Sequence, residues 1–126
     1  MKRVISTDAA PAAVGAYSQA TATDDLLFTA GQLPLTPEGE LLDDESVATQ
    51  TEQCLENVAA ILDSEGLDLG DVLKVTIFLD DIDDFDEMNE TYGSFFDDEP
   101  PARSAIEVGN VPKGAALEIE AIAAVE

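Results

Sequence analysis

Two runs near the end of the sequence decide how the chain folds: Pro100-Pro101-Ala102-Arg103-Ser104-Ala105-Ile106-Glu107-Val108 and Leu117-Glu118-Ile119-Glu120-Ala121-Ile122. The two prolines end any helix or strand that precedes them, and the β-favouring residues from Ala102 to Val108 predict a strand. In the second run apolar and acidic residues alternate, which is the period of a strand that has one buried face. We therefore predict a closing strand from Leu117 to Val125.

Arg103 is one of two arginines in a chain that has 5 basic and 28 acidic residues. The planar guanidinium presents a fork of donors that matches a carboxylate, so an arginine inside an apolar strand predicts a site for a small carboxylate ligand. The alternative is a structural ion pair with one of the many acidic side chains.

Glu118 is the second candidate, because it lies in the middle of an otherwise apolar strand. Burial would raise the pKa of its carboxyl and suit it to proton transfer. The alternative is an ordinary acid on the exposed outer face of the sheet. The residues alone leave both alternatives open.

The composition predicts one globular domain over residues 1–126, with 45% hydrophobic residues. No apolar run approaches the roughly 20 residues of a membrane span, and no signal peptide is visible, so a cytoplasmic protein is expected. The formal net charge is −23, with acids spread along the whole chain. This pattern favours adaptation to a salt-loaded cytoplasm, as in an extreme halophile, because salt screens the self-repulsion.

Several kinds of chemistry are excluded by what the chain lacks. It has no histidine, which removes the commonest metal ligand and general base, so no metal or cofactor is expected. Its few cations cannot form a basic patch, which disfavours a nucleic-acid partner. The single cysteine, Cys54, lies on an apolar helical stripe and is expected to be a buried structural thiol.

Hydrophobic periodicity predicts the element order β-β-β-α-β-α-β-β. The first helix opens at Ser46, with Gly66 near its C-terminal cap. One mixed sheet with two helices packed on one face is the simplest α+β architecture for this order. The other predicted elements are strands over Lys2 to Ser6, Tyr17 to Thr23, Leu26 to Ala30 and Asp71 to Leu79, and a helix over Asp81 to Phe96. This helix is expected to face the core with Ile82, Phe85, Met88, Tyr92 and Phe95 or Phe96.

Short motifs along nearly the whole chain match one known family in order and spacing. The chain resembles the RidA family (reactive intermediate deaminase), also called the YjgF family. The matching pieces are Gly15-Ala16-Tyr17-Ser18-Gln19-Ala20, Gly31-Gln32, Gln50-Thr51-Glu52-Gln53, Asn57, Leu62, Val75-Thr76-Ile77-Phe78-Leu79, Met88-Asn89, Tyr92, Phe95-Phe96, Pro101-Ala102-Arg103-Ser104 and Glu118-Ile119-Glu120-Ala121.

The resemblance implies a chorismate-mutase-like α+β fold that assembles as a homotrimer, with ligand clefts at the subunit interfaces. It also implies hydrolysis of 2-enamine and 2-imine acids, such as 2-aminoacrylate, to 2-keto acids and ammonia without a cofactor. Arg103 matches the family residue that binds the substrate carboxylate, and Glu118 the acid that orients water. The remaining implied site residues are Tyr17 (also catalytic), Gly31, Asn89 and Ala105.

Three departures from the family pattern concern the cleft. Ala105 stands where many members have Cys, which excludes thiol chemistry there, and Ala30 stands where some have Ser. The connection from Phe96 to Pro101 is short, and Pro100 stands where an aromatic residue is common in the family. A non-catalytic module that binds 2-keto acids at the same cleft and regulates a partner is the alternative function.

Overall fold

The computed structural model describes residues 1–125, in which six strands and two α-helices follow the predicted order. Three short 3₁₀ turns complete the regular structure. The strands are β1 (Arg3–Ile5), β2 (Ala20–Ala22), β3 (Leu26–Thr29), β4 (Val72–Leu79), β5 (Ala102–Glu107) and β6 (Leu117–Ala124), and the helices are α1 (Val47–Asp63) and α2 (Phe85–Gly93).

All six strands belong to one mixed sheet in the order β1-β2-β3-β6-β4-β5. The first three strands form an antiparallel meander, and β6 lies at the centre, antiparallel to both β3 and β4. Strands β4 and β5 are parallel, and α2 lies in the connection between them. This is the mixed α+β sheet with two helices that the pattern predicts.

The two faces of the sheet differ in burial because side chains alternate along each strand. On one face, strands β4 and β6 bury their apolar residues under the helices. On the other face, which we call the open face, neither helix packs. Its residues are half-buried or exposed, and the large apolar ones include Val4, Phe28, Phe78, Ile106 and Ile122.

The ends of α1 confirm the expected caps. The Ser46 side chain accepts a hydrogen bond from the Thr49 backbone N–H, as an N-cap residue does. The carboxylate of Glu87, from α2, accepts from the N–H of Ala48 at 3.0 Å and so ties the two helices together. At the other end Gly66 has φ +74°, and the N–H of Leu67 donates to the carbonyl of Leu62, which is the bond of a Schellman motif.

Buried amide side chains on α1 hold the long connection from β3 to the helix. Asn57 is buried, and its Nδ2 donates to the carbonyls of Leu33 at 3.2 Å and Leu35 at 2.8 Å. Gln50 is also buried; it donates to the carbonyl of Glu45 and accepts from the N–H of Ala116. These side chains satisfy loop backbone groups that water would otherwise have to reach.

Two boundary predictions are wrong. Strand β2 begins at Ala20 and not at Tyr17, because the preceding residues form a bend that the Gln19 side chain holds. The second helix is a 3₁₀ turn over Ile82–Asp84 followed by α2, which ends at Gly93. Ile82 is 46% exposed and does not face inward, because the Asp81 carboxylate caps that turn separately.

Cys54 is fully buried, as expected, and burial raises the pKa of its thiol well above the ordinary value. This keeps the thiol protonated and inert. No helix within residues 1–125 has the length and the apolar character needed to cross a membrane.

Replacing Asn57 by alanine should destabilise the fold by about 2–3 kcal/mol, because two loop carbonyls lose their donor. Gln53→Ala is the matched control. It removes only the 2.8 Å bond to Asn57 Oδ1 and leaves the loop anchored, so it should cost less than about 1 kcal/mol. Urea unfolding of both variants measures the difference, and equal losses would contradict the anchoring role.

Candidate functional site

Arg103 lies on the helix side of the sheet. Strand β5 pairs it with Val75, whose side chain is buried beneath the helices, and residues directly opposite each other share a face. Its Nη1 donates to Oδ1 of Asn89 on α2 at 2.7 Å. The guanidinium carbon also lies 5.4 Å from the ring centroid of Phe85 and 4.8 Å from that of Tyr92, both within the range of a cation–π contact.

Arg103 is not used in a structural ion pair within residues 1–125. The salt bridge found there joins the other arginine, Arg3, to Glu65 at 2.6 Å. Arg103 is instead held by a neutral amide and two aromatic rings, which orient the guanidinium without neutralising it. Its remaining donors are therefore free of carboxylates from this part of the chain, as a ligand-binding arginine requires.

A cavity of about 500 Å³ opens beside this arginine. It includes both Asn89 and Arg103, and its other walls are aromatic, proline and glycine residues with one carboxylate. The lining residues are Asn89, Tyr92, Gly93, Phe96, Asp97, Pro100, Pro101 and Arg103. Ala105, two residues further along β5 and opposite Ile77, packs against the core.

Glu118 lies on the open face, on the other side of the sheet from Arg103. Glu118 belongs to the central strand β6 and pairs with Phe78 of β4, so it is not at a sheet edge. Its carboxylate lies against the backbone of Gly31, where a Cβ atom would collide with it. Mutual hydrogen bonds between the backbones of Gln32 and Ile119, at 2.7 and 3.0 Å, hold the two segments together.

The Glu118 carboxyl has a raised pKa. Partial burial is the main cause, and the negative charge of Glu120, two residues along the same face, raises the pKa further. Of the two alternatives for this residue, neither a fully buried nor a freely exposed acid is found. Glu118 is half-buried on the outer face, and its pKa is moved in the direction that favours proton transfer.

Tyr17 lies in the bend before β2, and 53% of its surface is exposed. The bend is fixed by the buried Gln19 side chain, whose Nε2 donates to the carbonyls of Thr7 at 3.0 Å and Pro11 at 2.8 Å. Tyr17 Oη accepts a 3.4 Å hydrogen bond from the N–H of Val14. These hydrogen bonds hold the loop in place, with the Tyr17 ring exposed on its surface.

The predicted site residues thus fall into separate groups in one chain. Arg103 contacts Asn89 on the helix side, Glu118 contacts Gly31 on the open face, and Tyr17 is exposed on its own loop. The sheet stands between the arginine and the glutamate. Among residues 1–125, no group of three or more cysteine or acidic side chains is arranged to hold a metal ion.

Sequence reasoning missed the contribution of Phe85 and Tyr92 to the arginine site, because both were assigned to the core. A signal was present. Phe85, Asn89 and Tyr92 are spaced at i, i+4 and i+7, so one helical stripe carries both rings and the amide that contacts Arg103.

Comparisons with known proteins find matches over almost the whole chain. A family model described as Endoribonuclease L-PSP matches residues 7–125. The chain belongs to this family, also called RidA or YjgF. A RutC family protein of Pyrococcus horikoshii is 48% identical over 124 residues, which are 98% of each chain.

A sequence and a crystal structure from Escherichia coli extend the comparison. The sequence, named 2-iminobutanoate/2-iminopropanoate deaminase, is 44% identical over 127 residues, with 98% of each chain covered. The crystal structure of the YjgF gene product matches this fold with a TM-score of 0.93 and 42% identity, over 98% of this chain and 99% of that one. The family resemblance and the α+β fold are therefore confirmed.

Replacing Glu118 by glutamine should stabilise the protein above about pH 4.5, the ordinary value for this carboxyl. Because folding raises its pKa, the wild-type carboxyl favours the folded state fully at low pH and loses that contribution as pH rises through the folded pKa. The melting temperature of the variant should therefore match that of wild type near pH 4 and exceed it increasingly toward pH 8.

Glu120→Gln is the control for the second cause of the shift. The Glu120→Gln change should lower the pKa of Glu118. In the Glu120→Gln background, replacing Glu118 by glutamine should therefore raise the melting temperature less than it does in wild type. Melting curves at several pH values measure both effects. A difference that stays constant with pH would show that the folded carboxyl titrates normally.

Proposed function

We propose that this protein is an imine deaminase, which hydrolyses reactive 2-enamine and 2-imine acids, such as 2-aminoacrylate, to 2-keto acids and ammonia. The observation that carries the proposal is Arg103, a guanidinium without a carboxylate partner in residues 1–125, beside a cavity of about 500 Å³. Its fork suits the carboxylate that these substrates share. The 44% identity to the E. coli protein named 2-iminobutanoate/2-iminopropanoate deaminase supports the same substrate class.

The proposal includes a homotrimer with a cleft at each subunit interface. Arg103 and Glu118 face opposite sides of the sheet, so one chain cannot bring both to one small substrate. The open face also carries exposed apolar side chains: Val4 is 63%, Phe28 42% and Ile106 47% exposed. Packing of this face against further copies would bury that surface and bring Glu118 of one subunit to Arg103 of the next.

In such a cleft each residue has a distinct role. Arg103 binds the substrate carboxylate, and Asn89 fixes the guanidinium through the 2.7 Å hydrogen bond. The backbone N–H of Gly31 donates to the ligand, and Tyr17 lines the cleft. Glu118 orients the attacking water and accepts one of its protons, for which its raised pKa is suitable.

The reaction needs little beyond positioning and proton transfer. The water oxygen adds to C2 of the protonated imine, and a proton moves from that water to the nitrogen. The C–N bond of the resulting carbinolamine then breaks and its hydroxyl gives up the remaining proton to the departing ammonia, so that ammonium and the 2-keto acid are released. Holding the planar carboxylate beside an oriented water supplies the proximity that accelerates such a step.

RNA cleavage is not part of the proposal, although the family model carries an endoribonuclease description. A net charge of −23 repels a polyanion, and the chain has no histidine to act as general base. A regulatory module that binds 2-keto acids would use the same cleft, and only turnover separates it from an enzyme.

Release of 2-keto acid and ammonia from freshly generated 2-aminoacrylate tests the proposal. Wild type should accelerate release above the uncatalysed background, whereas Arg103→Ala and Glu118→Gln should each lose at least about 100-fold. When the two variants are unfolded and refolded together, mixed trimers should regain activity. About one cleft in four then combines an intact Arg103 with an intact Glu118.

Each variant refolded alone is the control for recovery by refolding itself. Recovered activity in the mixture supports clefts built from two subunits. Two inactive variants whose mixture stays inactive would contradict the shared cleft. A trimeric wild type that binds 2-ketobutanoate but does not accelerate release would favour the regulatory module.

We also propose that the protein works in a salt-loaded cytoplasm. The melting temperature should rise by at least about 5 °C between about 0.1 M and 2 M KCl, because salt screens the repulsion among 28 acidic side chains. Glu52→Gln with Glu56→Gln, on the exposed side of α1, should reduce that rise. Equal melting temperatures at both salt concentrations would contradict the adaptation.

A further inference from the structure

The hydroxyl of Tyr92 stands apart from the other polar groups. Within residues 1–125 it is the buried side-chain polar atom that has no hydrogen-bond partner, and the residue is only 4% exposed. A buried hydroxyl without a partner is destabilising, because it has lost its hydrogen bonds to water and has formed none within the protein. Phenylalanine would pack in the same space without this loss of hydrogen bonds. We therefore expect a hydrogen-bond acceptor of the Tyr92 hydroxyl outside residues 1–125.

The position of the ring points to where that acceptor would come from. Tyr92 lines the same cavity as Arg103 and Asn89. Its ring contacts the Arg103 guanidinium, 4.8 Å from the ring centroid, and the Phe96 ring, whose centroid is 4.7 Å away. The ring is therefore fixed beside the proposed carboxylate-binding group.

The chemistry of the neighbours limits what the acceptor can be. Burial raises the pKa of the Tyr92 hydroxyl and Arg103 partly opposes that rise, so at neutral pH the hydroxyl keeps its proton and can donate it. Arg103 has donors only. A group that satisfies both must offer several lone pairs, and a carboxylate offers them on two oxygens in one plane.

We propose that the Tyr92 hydroxyl is a second hydrogen-bond donor to the substrate carboxylate bound by Arg103. This inference rests on the proposed function for the class of ligand. With two donors from different elements, strand β5 and helix α2, the carboxylate is fixed in rotation as well as in position. The C2 carbon is then presented to water in one orientation. Tyr92 thus belongs to the substrate-binding residues and not only to the core.

The test is a calorimetric titration with 2-ketobutanoate in about molar KCl, which screens the protein charge. Tyr92→Phe removes only the hydroxyl and should weaken binding about tenfold or more, as the loss of a hydrogen bond to a charged group does. Thr91→Val is the matched control, because it removes a hydroxyl from the adjacent helix position, which does not line the cavity. Its affinity should equal that of wild type.

Thermal melting without ligand separates binding from structure. Tyr92→Phe should melt at the same temperature as wild type or higher, because an unsatisfied buried group is gone. A lower melting temperature, or loss of the trimer, would show that the hydroxyl has a structural partner, and would overturn the proposal. Affinity within twofold of wild type would overturn it as well.

The titration does not depend on turnover, so the two proposals can fail separately. A wild-type protein that binds 2-ketobutanoate through Tyr92 but releases no ammonia from 2-aminoacrylate would contradict only the deaminase. A wild type that turns over 2-aminoacrylate while Tyr92→Phe keeps its affinity would contradict only the role of Tyr92. Absence of 2-ketobutanoate binding in wild type would overturn the Tyr92 proposal.

Discussion

The two-residue period of β-strands is the constraint on which the rest of this molecule depends. Because β5 and β6 both flank β4, the register decides which side chains share a face. Arg103 pairs with buried Val75 and so faces the helices, whereas Glu118 pairs with Phe78 on the open face. A slip of one residue in β6 would turn Glu118 and Glu120 into the apolar core, and a slip of one residue in β5 would turn Arg103 away from the helices. The buried alternation of β6 thus fixes the site as well as the fold.

The surroundings of Arg103 are unusual for so acidic a protein. With 28 carboxylates in the chain, a structural pair would have been easy to form, yet the guanidinium contacts an amide and two aromatic rings. An ion pair would compete with an incoming carboxylate, whereas Asn89 and the ring faces leave the net charge in place. Orientation without neutralisation is the property that a carboxylate-binding arginine needs.

How much the sequence could predict depended on whether the signal was local. The alternation in β6, the Ser46 cap and the helical stripe of α1 are local patterns, and each predicted its element well. The start of β2 was missed because Gln19 bonds to residues 8 to 12 positions away, which no local pattern reports. The pairing of Asn89 with Arg103 likewise depends on how α2 lies over β5. Tyr92 was assigned to the core correctly, but its unpartnered hydroxyl is visible only in three dimensions.

Gly31 shows how the fold and the proposed chemistry meet at one backbone position. The Glu118 carboxylate occupies the space where any other residue would carry its Cβ atom. A larger residue would push the carboxylate outward into water and away from the β3–β6 junction, and its pKa would fall toward the ordinary value because partial burial is the main cause of the shift. Glycine is therefore required here for close approach and not for a positive φ. In the proposed cleft, the same absence of a side chain would keep the backbone N–H of Gly31 within reach of a ligand beside Glu118.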